Sequence, residues 1–174
     1  MNGISLFSNI GIGELCLDRK KFSIMKANDI SADRCILYKY LHPKTTVIDG
    51  DIRKKDIFSQ LTKIDSKLDF LITTPPCQGM STAGKNDKFD PRNHLIKYSI
   101  DYIKKCKPKY VLHENVPGQE TTMLSFKNKI ISIPDYISSQ LSKDYHIIKK
   151  KINMYDYGIP QSRKRSIYLL TRKD

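Results

Sequence analysis

The chain has 174 residues, 39% of them hydrophobic, enough for one domain with a real core and too few for two comfortable ones. Lys plus Arg is 31 against 18 Asp plus Glu, a net charge of +13 that favours polyanionic partners through steering and counterion release. The four cysteines form no C-x-x-C pair and no histidine clusters beside them, which argues against a zinc site and a disulfide framework. No basic leader with a long apolar core and no run of 18 apolar residues is present, so the expectation is a reduced, cytoplasmic protein without membrane or metal.

Strand and helix patterns alternate along the chain. "GISLFS" reads as a strand that breaks at "NIGIG", "ELCLDRK" as a helix, and "FSIMKAND" as a second strand. After a possible N-cap at Ser31, "ADRCILYKYLH" has helical spacing of Ile36, Leu37 and Tyr40. "TTVIDGD" is a third strand and "IFSQLTKI" a third helix. "LDFLITT", nearly all apolar, is a fourth strand buried on both faces. A loop of Gly, Asn, Asp and Pro runs over 79–92, and "HLIKYSIDYIKKC" is a helix with Leu95, Tyr98, Ile103 and Tyr102 inward. "KYVLHENV" is a fifth strand, and Thr121 to Lys143 reads as helix interrupted at Pro134. "YHIIKKKINMYD" and "RSIYLLTR" close the chain as two strands around "YGIPQSRKR". The expected fold class is α/β, a mostly parallel sheet with helices on both faces, in a single domain over 1–174. Ligands of such folds bind beyond the carboxyl ends of the strands.

The stretches richest in chemistry lie at those ends. In "LITTPPCQGMSTAGK" a thiol, Cys77, follows a stiff strand and two prolines. A thiol attacks efficiently only as thiolate and only with a fixed aim; the prolines supply the aim, and Lys85 and other nearby bases favour the ion. Alone, a strand-end cysteine is more often inert. "YVLHENVPG" delivers Glu114 to the end of the next strand, where burial would raise its pKa enough for proton donation. The plain alternative is a surface Glu opening a loop. In "YGIPQSRKR", Gln161, Arg163 and Arg165 alternate, and in extended chain they share a face suited to a phosphate or a base edge. A basic surface strand explains them equally well. "LFSNIGIGE" is a glycine-bearing turn but lacks G-x-G-x-x-G, and Asp29 and Asp51 at strand ends suit recognition of a nucleoside.

In order and spacing these pieces resemble the cytosine-5 DNA methyltransferase family: "PPCQGMS" its proline–cysteine loop, "ENV" its glutamate motif, "QSRKR" its Q-x-R-x-R motif, and "GKNDKFDPRNHL" its active-site loop. The resemblance spans essentially the whole chain. It implies a Rossmann-like S-adenosylmethionine-dependent fold, double-stranded DNA as substrate, and a restriction-modification setting. Carried over, Cys77, Glu114, Arg163 and Arg165 would be catalytic. Phe7, Ser8, Asn9, Ile10, Gly11, Asp29, Ile30, Asp51, Ile52 and Pro75 would bind the cofactor. Gln78, Ser81, Lys85 and Gln161, with Arg163 and Arg165, would contact DNA. The chain departs from the family's F-x-G-x-G-G turn at Asn9 and Ile12, and has aliphatic Ile30 where an aromatic residue is common; these changes bear on cofactor affinity. The target-recognition domain and the C-terminal segment that completes the cofactor pocket are expected to lie outside this chain, so that a second polypeptide, or the rest of a longer one, would carry DNA specificity. An RNA (tRNA) cytosine methyltransferase and a catalytically silent nucleic-acid-binding subunit are the alternatives. The silent subunit should have lost Cys77 or Glu114, and both are present.

Overall fold

The computed structural model describes residues 1–77, 80 and 90–174. Gln78, Ser81 and Lys85, three of the expected DNA contacts, and the first half of the expected active-site loop, 84–89, lie outside the described residues.

Strands β1 (Asn2–Leu6), β2 (Ser23–Asp29), β3 (Thr46–Asp49), β4 (Phe70–Thr73) and β5 (Tyr110–Asn115) are joined by α1 (Ile12–Leu15), α2 (Ala32–Leu41), α3 (Lys55–Thr62) and α4 (Ile96–Cys106). After β5 come β6 (Met123–Phe126), β7 (Lys129–Ser132), α5 (Ile133–Leu141), β8 (Tyr145–Asn153) and β9 (Lys164–Arg172). Seven strands form one sheet in the order β3-β2-β1-β4-β5-β9-β8. β1 to β5 are parallel, whereas β9 runs antiparallel to both β5 and β8. Chain direction through the sheet reverses its march between β1 and β4, the switch point at which such sheets open a crevice. The expected α/β class is what the chain forms.

Alternation along the strands divides the core. Ile4, Leu6, Leu71, Val111, Tyr168 and Leu170 pack with Leu61 of α3, Ile100 of α4 and Ile137 of α5 on one face. On the other face a smaller cluster gathers Ile24, Ala27, Phe70 and Tyr38 of α2.

Three local expectations are corrected. The inward residues of α2 are Cys35 and Tyr38, with Ile36, Leu37 and Tyr40 left exposed. The reason is a polar anchor: the helix is drawn down by His42, just past its end, whose Nε2 lies 2.9 Å from the Gly11 carbonyl. The 121–143 region is not one interrupted helix. It is a hairpin, β6 paired antiparallel with β7, followed by α5. Its turn uses Lys127 and Asn128 at φ +49° and +61°, the left-handed pair that tight hairpins require. Ser132 caps α5, accepting from the Asp135 amide at 3.2 Å, and Pro134 sits in the first turn, where its missing N–H costs nothing. The "ELCLDRK" helix shrinks to α1, four residues that end at Leu15. Among the described residues no helix is long and apolar enough to cross a membrane.

Candidate active site

A cleft of about 540 Å³ opens where the carboxyl ends of β1 to β5 meet the start of β9. That volume lies within the usual range for small-molecule sites. Its first wall is the turn after β1. Phe7 and Asn9 have φ of +56° and +52°, and Gly11 of +78°. Asn tolerates this left-handed backbone, which is how the turn survives without a glycine at position 9. At Gly11 the requirement is strict: a Cβ there would lie 2.6 Å from both His42 Nε2 and Tyr38 Cε2. The turn is held by the Ser8 amide donating to the Asn28 carbonyl at 2.9 Å and by the Asn9 amide donating to Asp29 Oδ2 at 2.9 Å.

Asp29, at the end of β2, is buried yet lines the cleft. Its Oδ1 accepts from the Ser31 amide at 3.0 Å, and Arg34 stands 3.7 Å away. Beside it Ile30, 65% exposed, presents an apolar face to the cleft. Asp51 and Ile52 follow β3. Arg53 hydrogen bonds to Asp51 (Nε to Oδ1, 2.9 Å) and thereby lowers its carboxyl pKa. A buried carboxylate with lone pairs to spare, an apolar plate next to it and exposed backbone in a turn form a set that fits a nucleoside.

The opposite wall carries the reactive groups. Thr74 Oγ1 donates to the Phe7 carbonyl at 2.9 Å and Asn115 Nδ2 to the Pro75 carbonyl at 3.1 Å, so the segment leading to Cys77 is tied to the ends of β1 and β5. Half-buried Cys77 faces the cleft. Its carbonyl accepts from the Met80 amide at 2.9 Å. Met80 is in turn pressed against Gly118, where an added Cβ would sit 2.0 Å from the Met80 oxygen. Glu114 forms an ion pair with Arg165 (Nε to Oε1, 2.7 Å). Burial raises the Glu114 pKa, while Arg165 and Arg163 pull against that rise. Arg163 also lines the cleft, its amide donating to Asn153 Oδ1 at 2.9 Å.

The cleft therefore brings together Cys77, Glu114, Arg163 and Arg165 with Phe7, Asn9, Asp29, Ile30, Asp51, Ile52 and Pro75. Ser8, Ile10 and Gly11 do not line it; Ser8 and Gly11 are buried and shape the turn behind Asn9. Gln161 is exposed and lies off the cleft, because β9 begins only at Lys164 and the expected extended alternation does not reach back to it. Asn28, Arg34, Arg53 and Arg92 line the cleft without having been foreseen. Asn28 had a readable signal, a polar residue inside an apolar strand; it donates to the carbonyls of Ile48 (2.8 Å) and Gly50 (3.0 Å), fixing the end of β3. The arginines had none, since their reach depends on the fold. Among the described residues no cluster of His, Cys, Asp or Glu is suited to a metal ion.

The family model for C-5 cytosine-specific DNA methylase matches residues 1–174. The chain belongs to that family. It is 43% identical over 178 residues to type II methyltransferase M1.HgaI of Avibacterium volantium, matching 98% of this chain and 50% of that one. Type II methyltransferase M.FnuDI of Fusobacterium nucleatum is 35% identical, with 100% and 48% covered. Among solved structures, a putative DNA modification methyltransferase encoded within a prophage of E. coli superposes with a TM-score of 0.78 at 28% identity, over 99% of this chain and 47% of that one. The C-5 cytosine-specific methylase chain thus spans about half the length of the curated relatives it matches.

Proposed function

We propose that the chain is the catalytic and cofactor-binding part of a DNA (cytosine-5-)-methyltransferase of a restriction-modification system. It acts on a cytosine flipped out of double-stranded DNA, with a further polypeptide supplying target recognition. The observation that carries this reading is the convergence of Cys77, from β4, with the Glu114–Arg165 pair, from β5 and β9, on a cleft whose other wall fits a nucleoside.

S-adenosylmethionine would supply an electrophilic methyl group on its sulfonium. Asp29 would accept hydrogen bonds from the ribose hydroxyls, Ile30 and Ile52 would bracket the adenine, and the Phe7–Asn9 turn would present backbone to the rest. A stacked cytosine is out of reach, so the base must leave the duplex to enter the cleft. Cys77, as thiolate, forms a bond to carbon 6, and the displaced electron pair makes carbon 5 nucleophilic. Glu114 protonates or hydrogen bonds ring nitrogen 3, where charge accumulates during the attack. Arg165 holds Glu114 and the base in register, and Arg163 offers a second guanidinium to base or phosphate. Carbon 5 would take the methyl group while the pair of the broken bond stays on the cofactor sulfur. Its proton is then lost to solvent, and the pair of that C–H bond restores the carbon 5–carbon 6 double bond. Cys77 departs as thiolate with the C–S pair, and any proton on nitrogen 3 returns to Glu114.

The test is transfer of labelled methyl to mixed-sequence DNA, by the chain alone and together with the half of the Avibacterium relative that has no counterpart here. Label on cytosine carbon 5, abolished by Cys77→Ser, is the expected result. Label that survives Cys77→Ser, or that appears on RNA and not on DNA, would overturn the reading.

A further inference from the structure

Behind Glu114 and Arg165 the core is polar. Alternation along β5 and β9 turns Glu114 and Arg165 to one side of the sheet and His113, Ser166 and Tyr168 to the other, under α5. These three are 3%, 0% and 2% exposed. Two further polar side chains reach them from the 3₁₀ turn Pro117–Thr121 that follows β5. His113 Nε2 lies 2.7 Å from Oε1 of buried Gln119. Half-buried Glu120 accepts from Ser166 Oγ at 2.5 Å and from Tyr168 Oη at 3.0 Å, and pairs with Lys149 of β8. The Tyr168 and His113 rings meet edge to face, centroids 5.7 Å apart, which closes the cluster.

Stability alone does not account for such a cluster. Replacing buried ionic groups by apolar side chains of similar volume is often neutral or stabilising. A satisfied polar network does, however, rigidify whatever it joins. Here it joins the supports of the cleft. His113 immediately precedes Glu114, and Ser166 immediately follows Arg165. The β5–β9 ladder runs from Tyr110 with Thr171 to Asn115 with Ser166, so Arg165 lies one residue past its last pair. On the β5 side, Ser166 is the last fixed point before the guanidinium, and Glu120 holds that point from the opposite face.

We infer that Glu120 is a positioning residue: by tying Ser166 and Tyr168 to the turn after β5, it fixes the Arg165 guanidinium on the Glu114 carboxyl. Gln119 steadies the β5 side of the same pair through His113. The inference rests on the proposed function only in treating Glu114 and Arg165 as parts of the reacting site.

The test makes the tie apolar without leaving a buried hydroxyl unpaired. Glu120→Leu, Ser166→Ala and Tyr168→Phe are combined in one chain, and Lys149, 44% exposed, turns to water. The melting temperature should not fall. Carbon-13 titration of the Glu114 carboxyl should show its pKa displaced in the direction that Arg165→Ala displaces it, and adding Arg165→Ala should displace it no further. Ser166→Ala alone, which leaves Glu120 its bonds to Tyr168 and Lys149, should give part of that displacement. In methyl transfer with the added half of the Avibacterium relative, kcat should fall roughly tenfold or more at little change in KM, the mark of a misplaced group. Glu120→Gln, which keeps an acceptor at the same reach, should retain most of the rate. A Glu114 titration unmoved in both the triple and the single variant, or a full further displacement on adding Arg165→Ala, would overturn the inference. So would a triple variant that keeps the full kcat. Since the titration is read without turnover, an unsubstituted chain that transfers no methyl counts against the proposed chemistry alone.

Discussion

At Glu114 two opposing effects meet on one carboxyl. Removal from water penalises the anion, and the guanidinium of Arg165, 2.7 Å away, favours it. Burial is the larger, so the carboxyl holds its proton to higher pH than a free glutamate. Since the folded pKa exceeds the unfolded one, stability from this group is full below the ordinary carboxylate value and is lost as pH rises through the folded pKa. Arg165→Ala removes the opposing charge and should move that window further upward, read by carbon-13 titration of the Glu114 carboxyl. A downward shift would mean that Arg165 raises the pKa by shielding the carboxyl from water more than its charge lowers it. The same substitution should lower methyl transfer by roughly 10²–10³-fold, the usual range for loss of one group stabilising developing charge. Glu114→Gln should abolish the pH-dependent contribution altogether.

Among the elements, the two segments that carry Cys77 and Glu114 are joined by close backbone contact. Gly118 lets the turn after β5 touch the Met80 carbonyl, and Met80 in turn bonds back to Cys77. Gly118→Ala forces a methyl into that contact and should cost about 1–3 kcal/mol, the range for overpacking. In a chain of this size that is a fall of roughly 2–4 °C per kcal/mol in melting temperature. Transfer activity should fall further than the stability loss accounts for, because the displaced atoms belong to the Cys77 loop; an unchanged rate per folded molecule would place the thiol independently of this contact. A second element-level tie lies nearby. Half-buried Glu120 accepts from Ser166 Oγ and from Tyr168 Oη at 3.0 Å, fastening the segment after β5 to β9 on the face opposite Arg165. That contact keeps β9 in the register that sets Arg165 beside Glu114.

For the molecule as a whole, charge is the dominant long-range property. With +13 on 174 residues and Arg34, Arg53, Arg92, Arg163 and Arg165 around one cleft, DNA binding should weaken linearly in log–log terms as salt rises. Filter binding to mixed-sequence duplex checks this, and Arg163→Ala should reduce the slope by about 1 if it meets a phosphate. An affinity insensitive to salt would deny the cleft its electrostatic role.

Cys77 after its prolines, Glu114 at the end of β5 and Asp29 at the end of β2 were legible along the chain, because each depends on where a strand stops, and strands announce themselves through local periodicity. The alternation of units, and with it the α/β class, was legible for the same reason. The inward face of α2 was not: an apolar count selects Ile36, Leu37 and Tyr40, while the helix turns on a hydrogen bond from His42 to a carbonyl in another segment. Nor was the hairpin at 123–132, where Pro134 reads as a break although it sits in the first turn of α5. Gln161 fell away from the cleft and Arg165 entered it because β9 starts only at Lys164, pairing first with β8 and from Ser166 onward also with β5, a register set by partners distant in sequence. Local backbone preference is written residue by residue, whereas the meeting of Glu114 with Arg165 exists only once strands remote in sequence share a sheet.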